Sequence, residues 1–192
     1  MKTQSSDITL RMATPADAPA LLAIYEYYVK NTAVTFEWDV PSVEEFTHRI
    51  EETLEMYPYL VAEKDGAIVG YAYAHRYRPR AAYAWDVETS IYVDKDCRGT
   101  GVGRALQTKL EELVKEQGVL NAYAVIVYNK DEDEYLTHAS VLFHEKMGFS
   151  KVSELHQCGH KFGRWYGTVT MEKMLGEHTA NPAPVRPWKE CC

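Results

Sequence analysis

The sequence predicts a single α/β domain whose strands and helices share one mixed sheet. Three observations lead to this class: β-type runs alternate with apolar stripes at helical spacing, an Asp-Gly hairpin joins two of the runs, and a glycine-rich loop links a strand to an amphipathic helix. The chain has 192 residues, which fits one domain with a short tail. We expect the domain to span residues 1–176 and a proline-rich tail, extended or disordered, to span residues 177–192.

The N-terminal part of the chain predicts one strand followed by two helices. Residues 8–12 alternate between apolar and polar side chains, as in a strand. Thr14 is suited to cap the first helix and Pro15 to occupy its first turn, and an apolar stripe at helical spacing follows. Ser42 and Glu45 form a capping box that opens a second helix, which we expect to end near residue 56.

A three-stranded meander is expected next. Asp65-Gly66 separates residues 59–64 from residues 67–75, which is a strong hairpin pattern. Residues 82–93 then predict a third, long strand.

The C-terminal part predicts a helix after the glycine-rich loop and a short strand at residues 122–127. Ser140 is expected to cap a further helix that Gly148 stops, before two final strands at residues 152–158 and 165–174. The predicted order is therefore β-α-α-β-β-β-α-β-α-β-β.

Composition excludes several partners. Lys and Arg number 21 and Asp and Glu 28, which gives a formal charge of −7, so neither nucleic acid nor an anionic membrane is expected to bind. The N-terminal residues have no continuous apolar run, and the four cysteines form no disulfide framework, so we expect a cytoplasmic protein. His156, Cys158 and His160 alternate, but no second cluster accompanies them, and we predict no metal site.

The strongest local pattern is the glycine-rich loop at residues 97–104. Gly99, Gly101 and Gly103 allow successive backbone N–H groups to turn toward one anion at the start of a helix, which predicts a pyrophosphate site. A Walker A loop does not fit, because the helix opens with Arg104 rather than Gly-Lys-Ser/Thr, and Arg104 also occupies the third glycine position of a Rossmann fingerprint. A purely structural glycine turn remains the alternative.

A family resemblance rests on two adjoining segments, Val87-Glu-Thr-Ser-Ile-Tyr-Val93 and Arg98-Gly-Thr-Gly-Val-Gly103. Together they resemble the core of the GNAT N-acetyltransferases, and in particular the phosphinothricin and methionine-sulfoximine acetyltransferases. Lys161-Phe-Gly-Arg-Trp165 supports that branch, and the resemblance spans residues 8–175. It implies the GNAT fold, in which about four helices flank a mixed, mostly antiparallel sheet. It also implies acetyl transfer from acetyl-CoA to the amino group of a small amino-acid-like compound, and a homodimer.

Two residues are expected to carry the chemistry. An amine substrate is mostly protonated at neutral pH, so a nearby base assists its attack. The resemblance implies that Glu88 is this base, and burial in its otherwise apolar strand would raise its pKa toward the working range. His144 matches the residue that acts on the departing thiolate, so we expect a general acid or a contact for the CoA sulfur. The alternatives are a solvent-facing strand acid for Glu88 and a merely packed histidine for His144.

The resemblance also implies a site for acetyl-CoA. The strand before the loop is expected to bond the pantetheine arm through its backbone, and an N–H there can polarise the thioester carbonyl. The loop is expected to hold the pyrophosphate, and Asn129 matches an asparagine that contacts CoA. The residues expected to bind the cofactor are Ser90, Ile91, Tyr92, Val93, Arg98, Gly99, Thr100, Gly101, Val102, Gly103, Arg104 and Asn129.

The acceptor is expected to bind near an arginine-rich segment. Arg76, Arg78 and Arg80 would lie on one side if this segment stays extended, and arginine suits a carboxylate or phosphinate group. The solvated charged loop is the alternative. The residues expected to contact the acceptor are Phe36, Tyr77, Arg78, Arg80, Tyr83 and Val87.

One segment departs from the family pattern of Asn-x-x-Ser. Ten residues, 130–139, separate Asn129 from Ser140, and residues 131–134 are all acidic. This insert predicts either a solvated loop or a flap over the acceptor or CoA that disfavours anionic ligands. Two other functions stay open at this point: acetylation of a polyamine or a peptide N-terminus, and a non-catalytic acyl-CoA-binding module.

Overall fold

The computed structural model describes residues 8–191 and contains one seven-stranded sheet with four α-helices. The strands are β1 (Thr9–Met12), β2 (Tyr59–Lys64), β3 (Ala67–Arg76), β4 (Asp86–Val93), β5 (Asn121–Tyr128), β6 (Ser150–Lys161) and β7 (Arg164–Met174). The helices are α1 (Ala18–Asn31), α2 (Val43–Met56), α3 (Val102–Gln117) and α4 (Ala139–Lys146). The strand order is β1-β2-β3-β4-β5-β7-β6, and every neighbouring pair is antiparallel except β4 and β5. The predicted order of elements and the mixed α/β class are confirmed.

Two local predictions are wrong. The strand predicted from residue 82 begins only at Asp86, because Ala81–Tyr83 form a 3-10 helix. Ser140 does not cap α4, since it is the second residue of that helix and His138 occupies the cap position. By contrast, the Ser42 hydroxyl accepts a hydrogen bond from the Glu45 N–H at 3.1 Å, as predicted for the start of α2.

Helices cover both faces of the sheet, and the side chains of each strand alternate between them. One face packs under α1 and α2, where an aromatic cluster includes Tyr25, Tyr59, Tyr71 and Tyr92. The opposite face packs under α3 and α4, in a core whose strand residues are mostly alanine and valine. Within residues 8–191, no helix has the length and apolar character needed to cross a bilayer.

The sheet opens at its one parallel pair. Strands β4 and β5 share only three paired positions, and Glu88 opposite Tyr123 is the last of them. Beyond this point β4 continues to Val93 and β5 to Tyr128, but the two strands no longer pair. Because both strands run in the same direction, their carboxyl ends form a wedge, and such crevices are where open α/β sheets bind ligands.

The C-terminal segment is extended but fastened to the domain. The Gln117 side chain donates to the Arg186 carbonyl at 2.7 Å, and the Arg186 N–H donates back to the Gln117 carbonyl at 3.0 Å. The Trp188 indole donates to the Leu54 carbonyl at 2.9 Å, and the Trp85 indole donates to the Ala183 carbonyl at 2.8 Å. Of the two states expected for this tail, residues 177–191 therefore adopt the extended one. Cys192 lies outside the described residues, and the domain boundary at residue 176 stays a prediction.

Candidate active site

Glu88 lies at the mouth of the wedge, on the sheet face covered by α1 and α2. It stands across the ladder from His75, whose Nε2 is 3.8 Å from the Glu88 Oε1, and its side chain is 24 % exposed. Burial raises the pKa of Glu88 above its ordinary value, while the charges of His75 and Arg78 oppose that rise. A partly buried carboxylate of this kind is suited to accept a proton at neutral pH.

An aromatic and cationic cluster borders Glu88. The Tyr77 ring stacks on Tyr123 with centroids 4.2 Å apart, and Tyr83 meets Tyr77 edge-on at 6.0 Å. The Arg78 guanidinium lies over the Tyr77 ring at 4.9 Å and interacts electrostatically with Glu88. The Arg78 guanidinium donates a long hydrogen bond of 3.5 Å to the Tyr77 hydroxyl and forms no ion pair within residues 8–191, so its planar fork suits a bound carboxylate or phosphinate.

Val87, one of the six predicted acceptor residues, does not direct its side chain to this cluster. Val87 is fully buried in the core on the opposite face, because it neighbours Glu88 along a strand whose side chains alternate. Its side chain therefore cannot contact the acceptor. The segment that carries Arg76, Arg78 and Arg80 does not stay extended, since β3 ends at Arg76 and Arg80 precedes a 3-10 helix, so the condition under which these arginines would share one side is not met.

A cavity of about 540 Å³ lies next to this cluster, between α2 and the sheet. Its lining includes Glu37, Arg49, Tyr73 and His75, so it reaches the residue that faces Glu88. Phe36, predicted to wall the acceptor site, directly precedes Glu37. The Phe36 ring is half-buried and packs on Gly159 so closely that a Cβ at that position would be 2.3 Å from it.

Backbone groups of β4 are available to a ligand in the wedge. The Asp94 N–H donates to the Val69 carbonyl at 2.8 Å, which fixes the alternation of the β3–β4 ladder. In that alternation Ser90 and Tyr92 direct their N–H and C=O groups to β3, whereas Ile91 and Val93 direct theirs into the wedge. The Val93 carbonyl accepts from the Tyr28 hydroxyl at 2.5 Å. The ladder thus favours Ile91 and Val93 as cofactor contacts, and disfavours backbone contacts from Ser90 and Tyr92.

The glycine-rich loop has the geometry of an anion cradle. Gly99 and Gly101 adopt φ values of +73° and +95°, and a Cβ on either would meet nothing within 4 Å, so the space above the loop is open. At the start of α3, the N–H groups of Val102–Arg104 have no acceptor inside the helix. These donors and the helix dipole fit the pyrophosphate of a coenzyme.

Side chains around the loop differ in their availability. Arg104 is exposed in the first turn of α3, whereas the Val102 side chain is fully buried and offers only its backbone. Arg98 folds back over Tyr28, with its guanidinium 5.0 Å from the ring. The Thr100 hydroxyl donates to the Cys97 carbonyl at 2.6 Å, which tightens the turn.

The geometry does not support two of the predicted roles. His144 is 3 % exposed, its Nδ1 donates to the Ser140 carbonyl at 2.8 Å, and burial lowers its pKa. The lowered pKa disfavours the protonated ring that a general acid needs, whereas the expected contact of His144 with the CoA sulfur stays a prediction. The Asn129 amide is engaged at both ends by β7, since it donates to the Trp165 carbonyl at 3.2 Å and accepts from the Gly167 N–H at 3.0 Å.

Sequence reasoning missed four residues of this site. Tyr123 is the platform for Tyr77, and His75 faces Glu88. Glu37 lines the cavity, and the buried Lys161 holds the segment before it. Lys161 lies in a segment that carries the family resemblance, but no local pattern in the sequence links it to Glu37.

No metal site is found in the part of the chain that the structure describes, where no three His, Cys, Asp or Glu side chains converge. The alternation of His156, Cys158 and His160 does not hold in space. Gln157 adopts a positive φ of 49°, and the pairing of β6 shifts between Leu155 and Gly159.

Comparison with known proteins identifies the family. The profile of the acetyltransferase (GNAT) domain matches residues 10–170. The chain belongs to the GNAT acetyltransferase family. It is an acetyl-CoA-dependent N-acetyltransferase, and its fold matches solved members of the family.

Several relatives of this GNAT chain have been named for their substrates. It is 38 % identical to a phosphinothricin N-acetyltransferase of Alcaligenes faecalis over 87 % of this chain and 82 % of the relative. It is 32 % identical to an L-methionine sulfoximine/L-methionine sulfone acetyltransferase of Salmonella typhimurium over 92 % of this chain and 99 % of the relative. A crystal structure of a Sinorhizobium meliloti phosphinothricin acetyltransferase in complex with acetyl-CoA superposes with a TM-score of 0.83, at 36 % identity over 92 % of this chain and 93 % of that one.

Proposed function

We propose that this enzyme acetylates the amino group of small amino-acid-like acceptors of the phosphinothricin, methionine sulfoximine and methionine sulfone type. The observation that carries the proposal is that Arg78, which forms no ion pair within residues 8–191, interacts electrostatically with the partly buried carboxylate of Glu88. An acceptor of this class carries an acid group for the arginine and an ammonium group for the carboxylate. The names of the relatives point to the same substrates.

In the proposed mechanism both substrates are bound together, and the acceptor attacks acetyl-CoA directly. Acetyl-CoA supplies the thioester carbonyl. Glu88 takes one proton from the ammonium group, and the freed amine nitrogen forms a bond to the carbonyl carbon. The bond from that carbon to sulfur then breaks, and the nitrogen loses its second proton to water. The Ile91 N–H, directed into the wedge, is placed to polarise the carbonyl oxygen. CoA can leave as a thiolate without a protein acid, because the pKa of an alkyl thiol is only about 8.5.

For the cofactor we propose Ile91, Val93 and the loop at residues 98–104. Two observations support this assignment. The backbone N–H and C=O groups of Ile91 and Val93 point away from β3, and the first N–H groups of α3 have no acceptor inside the helix. For the contact with CoA that was expected of Asn129, we propose Thr137 instead. Counting back from Ser140, Thr137 takes the first position of the family's Asn-x-x-Ser pattern, and it is exposed beside α4.

We also propose a homodimer in the cytoplasm. Strand β6 is an unpaired edge of the sheet, and four large apolar side chains on or beside it are more than half exposed: Trp38, Val152, Leu155 and Trp165. Edges of this kind need a cover, and a second copy of the chain would supply it. Light scattering should then give a dimer, and Leu155→Lys should give a monomer. Free thiols at Cys97, Cys158 and Cys191 fit a reducing compartment.

The acceptor proposal is tested by CoA-thiol release from acetyl-CoA. Phosphinothricin, methionine sulfoximine, methionine sulfone, plain amino acids and spermidine are compared as acceptors at equal concentration. Release with the first three, and weak release with plain amino acids, is the expected result. Release with spermidine alone would favour a polyamine acetyltransferase instead. Tight binding of acetyl-CoA without release for any amine would indicate a non-catalytic module.

A further inference from the structure

Residues 32–37 form an irregular segment between α1 and α2, which we call the Phe36 segment. It has neither helical nor strand structure, so its backbone carbonyls need donors from elsewhere. One of its side chains reaches the proposed acceptor site, since Glu37 lines the cavity that also contains His75, and the neighbouring Phe36 packs on Gly159 of β6. The position of this segment therefore sets the shape of the site opposite Glu88.

Lys161, the last residue of β6, supplies the missing donors. It is 2 % exposed, and its Nζ donates to the Thr32 carbonyl at 2.9 Å and to the Thr35 carbonyl at 2.8 Å. Burial lowers its pKa to about 8. The Glu37 charge opposes this lowering, and the Phe162 ring lies 5.1 Å from the Nζ. Burying an ammonium group is costly unless it is well hydrogen-bonded, so the two hydrogen bonds that Lys161 makes within residues 8–191 identify what it holds. Both acceptors are backbone groups of the Phe36 segment.

The acidic insert, residues 130–139, anchors the same segment from a second side. The Ala33 N–H donates to the Tyr135 carbonyl at 2.9 Å, and Leu136 is buried against Ala33. The insert is itself fixed: Glu134 binds Arg164 through two hydrogen bonds of 2.7 and 2.8 Å. Tyr135 stacks on Phe162 with centroids 4.3 Å apart. The insert is therefore docked to the β6–β7 hairpin through Tyr135 and Glu134, while its acidic residues Asp131, Glu132 and Glu134 stay exposed to solvent.

A third contact holds the Phe36 segment against α1. The Tyr25 hydroxyl and the Thr35 hydroxyl are 2.8 Å apart and buried under α1. Of these anchors, only Lys161 joins both ends of a single turn, because it binds the carbonyls of residues 32 and 35 at once. Loss of the ammonium group would leave the two carbonyls without these donors, and the turn that orients Phe36 would open.

We propose that Lys161 is a positioning residue of the acceptor site, which holds the Phe36 segment in place through the carbonyls of Thr32 and Thr35. The inference rests on the proposed function, since it concerns how the acceptor is bound. It assigns Lys161 no contact with acetyl-CoA, whose proposed site lies at the wedge and the loop at residues 98–104.

The test compares Lys161→Met with Lys161→Arg and with Lys151→Met. Methionine keeps the length of the side chain and removes its donors, and Lys151 is an exposed lysine on the same strand that pairs only with Glu154 and the Tyr128 ring. Steady-state kinetics with methionine sulfone are measured alongside hydrogen–deuterium exchange of the peptide that contains residues 32–37. For Lys161→Met we expect the acceptor KM to rise about tenfold or more, the acetyl-CoA KM to stay within about twofold, and the peptide to lose protection. Lys161→Arg should recover part of the protection, and Lys151→Met should match the wild type.

The inference is overturned if Lys161→Met exchanges at the wild-type rate in residues 32–37, or if its acceptor and acetyl-CoA KM values change together. If Lys161→Met does not fold, Lys161→Gln, which retains one donor group, is judged by the same two criteria. A wild-type enzyme that acetylates none of the acceptors would refute the proposed function instead. In that case exchange alone decides whether Lys161 holds the segment.

Discussion

Gly159→Ala should disturb the proposed acceptor site through a single steric contact. A Cβ at this position would be 2.3 Å from two carbons of the Phe36 ring and 2.7 Å from a third. Carbon atoms in contact ordinarily keep about 3.5–4.0 Å apart, so the ring must move by at least roughly 1.2 Å. Gly159 does not adopt a positive φ, so the added methyl group introduces no backbone strain.

The expected loss of stability depends on how freely the Phe36 ring can move. Overpacking by one methyl group costs about 1–3 kcal/mol in a well-packed core. Because the Phe36 ring is only half-buried and can swing, we expect the free energy of unfolding to fall by an amount near the lower end of that range. Displacement of the ring would shift the adjoining Glu37, which lines the cavity beside the proposed acceptor site, and we expect the acceptor KM to rise about tenfold, which corresponds to about 1.4 kcal/mol.

A double-mutant cycle with Phe36→Ala isolates the contact. Urea unfolding and steady-state kinetics are measured for wild type, both single variants and the double variant. With the ring removed, Gly159→Ala should change the free energy of unfolding by less than about 0.5 kcal/mol. Equal destabilisation with and without Phe36 would refute the steric explanation. A normal acceptor KM in an otherwise destabilised Gly159→Ala enzyme would show that Phe36 does not border the acceptor site.

Three further predictions concern other parts of the molecule. Leu136→Ala, which removes a buried side chain of the insert, should lower the free energy of unfolding by about 2–5 kcal/mol in urea titration, and an unchanged value would contradict its docking. Gly101→Ala places a side chain at φ +95° and should weaken acetyl-CoA binding in calorimetry while the acceptor KM stays constant; a selective effect on the acceptor would refute the loop assignment. Removal of residues 177–192 deletes the hydrogen bonds of Trp188 and Arg186 and should lower the melting temperature, whereas an equal melting temperature would show that the tail contributes nothing.

The elements of this fold could be predicted from the sequence because their signals are local. The capping residue Ser42 and the Asp65-Gly66 turn, which has positive φ at both residues, each determine one element boundary. The strand predicted for residues 82–85 is wrong because their apolar and aromatic character suits a strand as well as a 3-10 helix. The contact of Tyr83 with Tyr77 favours the 3-10 helix.

The site could be predicted only in part, because its geometry depends on pairing between distant strands. Strand alternation separates Val87 from Glu88, but the sequence alone cannot state which of the two faces α1 and α2. The alternation of hydrogen bonds along the β3–β4 ladder decides that the backbone N–H and C=O groups of Ile91, rather than those of Tyr92, point into the wedge. Lys161 is an ordinary lysine in the sequence, and only the tertiary fold brings it to the carbonyls of residues 32 and 35.

The most direct test of the proposed mechanism is the pH dependence of acetyl transfer in wild type and in Glu88→Gln. A general base works as the carboxylate, so kcat/KM for the acceptor should rise with pH through the pKa of Glu88, which burial places above its ordinary value. Glu88→Gln should lose this limb and most of its turnover while binding acetyl-CoA as tightly as the wild type. A Glu88→Gln enzyme with wild-type turnover and an unchanged profile would contradict the assignment of Glu88 as the base.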